Sequence, residues 1–172
     1  MDGLEALIRG RRTVKAYAPE PVDPGTLDEL FELARWAPNH HLTNPWRFRV
    51  LGPHALEALK AAAGPEAAAK LDRAPTLVAA SVIQCGDDPV ADDEDYAAGA
   101  AAVFIVLLGA HARGLGGYWR TPGVLRTPEG RAACSIGENE RVLGLIHLGS
   151  ARGPDKAPPE RAPLERYFFR LD

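Results

Sequence analysis

Gly114-Leu-Gly-Gly-Tyr-Trp-Arg-Thr121 decides the architecture. Three glycines in four residues invite the dinucleotide-binding fingerprint, in which a glycine-rich turn follows a strand and opens a helix. Here the order is reversed. The long apolar segment before Gly114 reads as a helix, and Gly116 to Arg120 reads as the strand after it. The fingerprint's last glycine is also missing, its place being taken by Trp119. A doubly wound dinucleotide fold is therefore set aside. The glycines instead end the helix and let backbone come close to a ligand.

Upstream, Tyr96 to Arg113 is apolar nearly all round, with Gly99, Ala100, Ala101 and Ala102 thinning one side. A helix without a wet face is buried at a domain centre or between subunits, and in so short a chain a subunit interface is expected. The acidic run from Asp87 to Asp95 is expected to be a loop that complements the start of that helix. It is no calcium loop, because Asp92 and Ala98 stand where glycine and glutamate are required. Thr76 to Ile83 is apolar on both faces and predicts a central strand, while alternation from Trp46 to Leu51 predicts a half-buried one. Pro53 to Lys70 predicts helix broken at Gly64-Pro65. Asp23 and Pro24 are a cap and first position for a helix carrying Leu27, Leu30, Phe31 and Ala34 to about Trp36. Leu4, Leu7 and Ile8 give a first short helix ending at Gly10.

Downstream, Pro128 to Ala133 predicts a short helix and Val142 to Leu148 a strand. The tail from Ser150 carries Pro154, Pro158, Pro159 and Pro163, then Tyr167-Phe168-Phe169. Proline-rich chain cannot continue a helix, yet three aromatics need burial. A tail at 150-172 that reaches across a partner subunit satisfies both. Residues 1-172 form one expected domain, an α+β or three-layer sandwich with a mixed sheet.

At 172 residues the chain can bury a substantial core without staples. A net charge of -3 offers no global field for nucleic acid or an anionic membrane, so neither is an expected partner. Cys85 and Cys134 form no metal pattern and are expected to be buried free thiols. The N-terminus lacks a signal-peptide core, and the apolar run from Ala97 to Ala112 is short for a membrane span, so a soluble, cytoplasmic protein is expected.

Arg11, Arg12, Thr13 and Lys15 place three cations and a hydroxyl within five residues at a helix exit. As a bare cluster this is a solvated surface; as a site it is a phosphate clamp with a cation left for a second anionic centre. Arg120 and Thr121 repeat the cation and hydroxyl pairing beside Trp119, itself either core or ring neighbour. Between these segments, Ala37-Pro-Asn-His-His-Leu-Thr-Asn-Pro-Trp46 is dense in side-chain donors and acceptors. Adjacent histidines point apart and no Cys, Asp or Glu lies in the loop, so no metal is expected. The loop suits either the edge of a heterocycle or its own backbone. Together the three segments suggest a bound flavin nucleotide, whose reduced ring gains from a nearby cation. No nucleophile elbow accompanies Ser81, Ser135 or Ser150, and His111 and His147 read as core histidines, so hydrolysis is poorly supported.

In order and spacing these segments resemble the nitroreductase family of FMN-dependent oxidoreductases, from Leu4 to about Gly149. Arg11-Arg-Thr-Val-Lys15 is similar to the family's Arg-x-Ser/Thr motif, Trp36-Ala-Pro-Asn-His40 with Asn44-Pro-Trp46 to its loop before the first strand, and Gly116-Gly-Tyr-Trp-Arg-Thr121 to its flavin-contacting segment. The resemblance implies a mainly antiparallel sheet and an intertwined homodimer with FMN at the interface. It implies ping-pong hydride transfer from NADH or NADPH through flavin N5 to a nitroaromatic, quinone or similar acceptor. Arg11 and Arg120 would hold phosphate; Arg12, Thr13 and Lys15 would line ribityl and pyrimidine. Trp36, Asn39 and His40 would approach the ring from the facing loop, with Trp119 and Thr121 nearby. Gly109, Ala110, His111, Ala112, Arg113 and Gly114 would correspond to a nicotinamide-linked stretch. No side chain is expected to be catalytic, since the chemistry is carried by the flavin. A flavin-dependent dehydrogenase or dehalogenase of the same fold, and a flavin-storage protein without turnover, are the alternatives.

Overall fold

A computed structural model describes residues 3–153 and 157–171; Pro154 of the tail lies outside them. Its elements are α1 (Gly3–Gly10), α2 (Pro24–Ala34), β1 (Trp46–Val50), α3 (Pro53–Ala63), α4 (Pro65–Ala68), β2 (Thr76–Ile83), α5 (Pro89–Ala112), β3 (Leu115–Arg120), α6 (Pro128–Ala133) and β4 (Glu140–Ser150). The strands form one sheet in the order β1-β2-β4-β3, every neighbouring pair antiparallel. The parallel component expected of a mixed sheet shrinks to a single bridge, Thr13 to Gly117.

Strand alternation builds three layers. One face of the sheet, with Val78, Ala80, Val82, Ile146 and Leu148, packs on α2 and α5. The other, with Leu77, Ala79 and Leu145, packs on Leu59 of α3, Leu125 and the α6 region. Where Ala80 and Ser81 face Gly144 and Val142, an irregularity adds one residue to β4. Gly144 sits there at φ 145, and a side chain would lie 2.7 Å from the Trp119 indole nitrogen. That indole donates to the Leu143 carbonyl at 2.9 Å.

Helix α5 is where expectation and structure part. It starts seven residues before Tyr96, because Asp88 caps it, accepting from the Val90 and Ala91 amides, and Pro89 takes the first position. The acidic run is thus largely the first turns of the helix. One side of α5 packs within the chain, where Ala98, Gly99, Ala102, Val103, Val106, Leu107, Gly109 and Ala110 are buried, while Phe104 stays exposed. A side chain at Gly99 would lie 2.8 Å from Leu143 Cδ1, so its small face serves close helix-to-sheet packing. By length and apolarity α5 could cross a membrane, though much of it is buried inside the fold.

Helix α2 stops at Ala34, two residues short of Trp36, as its last turn tightens into Trp36 N–H to Leu33 and Ala37 N–H to Ala34 carbonyl bonds. Cys134 is buried as expected but Cys85 is exposed, in the turn where Asp92 accepts from the Cys85 and Gly86 amides. Tyr167, Phe168 and Phe169 find no burial within the chain.

Candidate functional site

The segment after α1 is laid along the sheet edge and tied on both sides. Thr13 bridges to Gly117, and the Val14 amide donates to the Gly117 carbonyl at 3.2 Å. The Tyr17 hydroxyl donates to the Val14 carbonyl at 2.7 Å. The Ala18 amide donates to Ser150, and the Arg152 amide to Ala16. The glycine pair of β3 is what lets this happen. A side chain at Gly116 would lie 2.9 Å from three Val14 atoms, and one at Gly117 would lie 2.8 Å from Leu107 of α5. A side chain at Gly10 would likewise lie 2.9 Å from His111 Nε2.

These contacts enclose a cleft of about 400 Å³, lined by residues 10–16, His111, 114–117 and 151–153. Its charge is one-sided. Arg11, Arg12, Lys15 and Arg152 line it, and Arg161 of the tail stands close enough to Arg11 to act on its charge. Among the described residues none of these five cations has a carboxylate within 4 Å, whereas Arg49, Arg113 and Arg141 each do. Arg12 caps the end of α1 through the Arg9 and Arg11 carbonyls at 2.6 and 2.9 Å, and its buried Nε has no partner among the described residues. Burial, then Arg12 and Arg161, press Arg11 below the usual guanidinium range. Like charges gathered without counter-charge among the described residues are an arrangement that could take an anion. Gly116 and Gly117 are buried and admit Val14 and Leu107 rather than exposing backbone, while the cleft's size is within the usual ligand range. Lys15 hangs over the Tyr118 ring at 5.7 Å.

The other predicted residues lie elsewhere in this chain. Trp119 packs on the α5 layer. Arg120 faces Leu145 with one guanidinium nitrogen buried and without a partner among the described residues, and Thr121 is exposed; none of the three lines the cleft. Trp36 is 78% exposed. Asn39 spends its amide on the loop, donating to Ala37 at 3.1 Å and accepting from the Asn44 amide at 2.9 Å. Asn39 and His40 border a shallower hollow with Glu94, Ala97, Ala98 and Ala101. From Ala97 to His111 is fourteen residues of α5, or about 21 Å at 1.5 Å per residue. One chain therefore holds two separate groups. Of the nicotinamide-linked stretch, His111 and Gly114 line the cleft, Gly109 and Ala110 are buried, Ala112 is exposed, and Arg113 is paired with Glu29 at 3.0 Å.

Arg152 and Arg161 were not legible as site residues: the tail's prolines and aromatics dominate its reading, and only folding brings its cations beside Arg11. His147 is fully buried but not satisfied, since neither ring nitrogen has a partner among the described residues. Burial, then Arg120 and Arg73, lower its pKa to about 4. Among the described residues no three His, Cys, Asp or Glu side chains converge as metal ligands.

The model of the Nitroreductase family matches residues 8–150. The Bacillus subtilis protein named "Putative NAD(P)H nitroreductase YfhC" is 28% identical over 98% of this chain and 94% of its own. A nitroreductase-like family protein of Bacillus cereus superposes with a TM-score of 0.88 at 23% identity, covering 99% of this chain and 97% of that one. A Desulfovibrio desulfuricans protein whose crystal structure is a complex with FMN has a TM-score of 0.82 at 21% identity, covering 100% and 98%.

Proposed function

Since this chain belongs to the nitroreductase family, we propose that it is an FMN-dependent oxidoreductase passing hydride from NADH or NADPH to a small nitroaromatic, quinone or similar acceptor. The observation that carries this is the glycine-walled cleft whose cations lack counter-charge among the described residues. The relative named as an NAD(P)H nitroreductase and the FMN complex of the same fold support it.

Bound FMN would supply the hydride chemistry. The chain would hold the phosphate with Arg11, joined by Arg152 and Arg161 from beyond β4; Arg120, outside the cleft, is less suited than Arg11. Arg12 and Thr13 would line the ribityl chain, and Lys15 would place its ammonium near the pyrimidine, where charge accumulates on reduction. Trp36, Asn39 and His40 would reach the ring only from a second copy, because about 21 Å of α5 separates them from the cleft. Exposed apolar side chains at Leu4, Ile8, Trp36, Leu42 and Phe104, with Tyr167 to Phe169 of the tail, support a homodimer whose tails cross. A ping-pong order follows if donor and acceptor take turns on one open ring face.

Purified protein is expected to be yellow, and its flavin absorbance to bleach anaerobically with NADH or NADPH and recover with a nitroarene or quinone. Colourless protein that refuses FMN would sink this reading, and yellow protein that neither donor bleaches would favour storage. Light scattering is expected to give a dimer.

A further inference from the structure

The loop from Asn39 to Asn44 is built with more constraint than a connection needs. His41, Leu42 and Asn44 have φ of 50, 54 and 47, a region that side chains other than glycine rarely occupy. Such a conformation persists only when surroundings impose it, and it concentrates at functional sites. Two ties to the first turns of α5 impose it here. The Thr43 hydroxyl donates to Asp95 at 2.6 Å, and His40 Nδ1 stands 3.5 Å from Glu94 Oε2. The His41 ring closes the other side of His40 edge-on, centroids 4.0 Å apart. His40 thus has one ring nitrogen turned to a carboxylate and the other available, at the rim of the hollow beside α5. Both partners are about half exposed, so bulk water reaches the ring.

We propose that His40, oriented by Glu94, is the general acid that protonates the acceptor as it is reduced. The inference rests on the proposed function, in which this loop faces the ring from the partner subunit. A quinone that accepts a hydride becomes a hydroquinone monoanion, and one proton completes it. For a nitro group, one hydride and one proton give a nitroso group and water. In each case the N–H bond at His40 Nε2 breaks, an O–H bond forms on the acceptor, and the neutral ring regains a proton from solvent. Glu94 is a positioning residue: its carboxylate, 3.5 Å from Nδ1, orients the ring so that Nε2 is the face presented.

The two half-reactions separate this role from cofactor binding. Stopped-flow rates per bound FMN are measured for anaerobic bleaching by NADH and for reoxidation by 1,4-benzoquinone. His40→Gln is expected to slow reoxidation relative to bleaching at least tenfold, and by roughly 10²-fold if general acid catalysis is fully lost. Free imidazole is expected to restore part of the rate in His40→Ala. In Glu94→Gln, the ¹⁵N signals of the His40 ring are expected to move, with a smaller fall in reoxidation. An unchanged ratio in flavin-loaded His40→Gln, or ring signals indifferent to Glu94→Gln, overturns the proposal while leaving the proposed function intact. Wild-type protein that takes no FMN overturns both.

Discussion

Replacing Arg11 with alanine should weaken FMN binding without harming the folded chain, a combination that a structural cation would not give. Arg11 has no carboxylate partner among the described residues and is pressed by burial, Arg12 and Arg161, so its removal relieves repulsion in the empty protein. Its bond to a phosphate would be charge-assisted and contribute about 1.5–3 kcal/mol. That predicts a dissociation constant raised about 10- to 150-fold, at 1.4 kcal/mol per factor of ten. Thermal unfolding reads both sides of the claim. FMN at 100 times the wild-type Kd should add about 2.7 kcal/mol, or roughly 5–11 °C for a chain of this size. With a Kd about 30-fold weaker, the same FMN concentration stands near three times Kd and adds only about 0.9 kcal/mol, or roughly 2–4 °C. Without FMN the variant should melt at or slightly above the wild type. Undiminished FMN affinity would refute the phosphate assignment, and a clear loss of stability in the empty variant would mean Arg11 serves the fold.

Gly116→Ala is expected to destabilise by about 1–3 kcal/mol through crowding of Val14 and to weaken FMN binding as the Thr13 segment shifts, whereas Gly3→Ala, with open space around it, should be neutral; thermal melts and an FMN titration decide. His147 carries a pH dependence. Its pKa of about 4 lies below the unfolded value of 6.5, so the unfolded chain binds the extra proton, and stability present at neutral pH is lost as pH falls from 6.5 toward 4. The full loss is on the order of 3 kcal/mol, and His147→Phe should flatten that part of the curve in urea melts at pH 7, 6 and 5.

Much of the fold was legible because local chemistry sets it. Asp23-Pro24 began a helix at the position where cap and proline said it would, and the segment from Thr76 to Ile83, apolar on both faces, is a buried strand with those bounds. The start of α5 was misplaced because an acidic run reads equally as a turn and as a helix's first turns; only Asp88 bonding to two amides distinguishes them. The basic segment was legible as a chemical type, since adjacent arginines and a hydroxyl are contiguous. Its completion by Arg152 and Arg161 was not, because proximity across well over a hundred residues leaves no local trace.

By itself the sequence determined which segments are helices and strands, that Gly114 to Thr121 belongs to no dinucleotide fingerprint, and that a cluster of cations sits at a helix exit. Those properties follow from backbone and side-chain preferences within a few residues. Tertiary structure decided that the clustered cations share one cleft with Arg152 and stand near Arg161, that Gly116 and Gly117 are there to admit Val14 and Leu107, and that the Asn39–His40 loop lies at the far end of α5. Burial and charge compensation depend on which distant surfaces meet, and the packing of α5 against the sheet sets that distance.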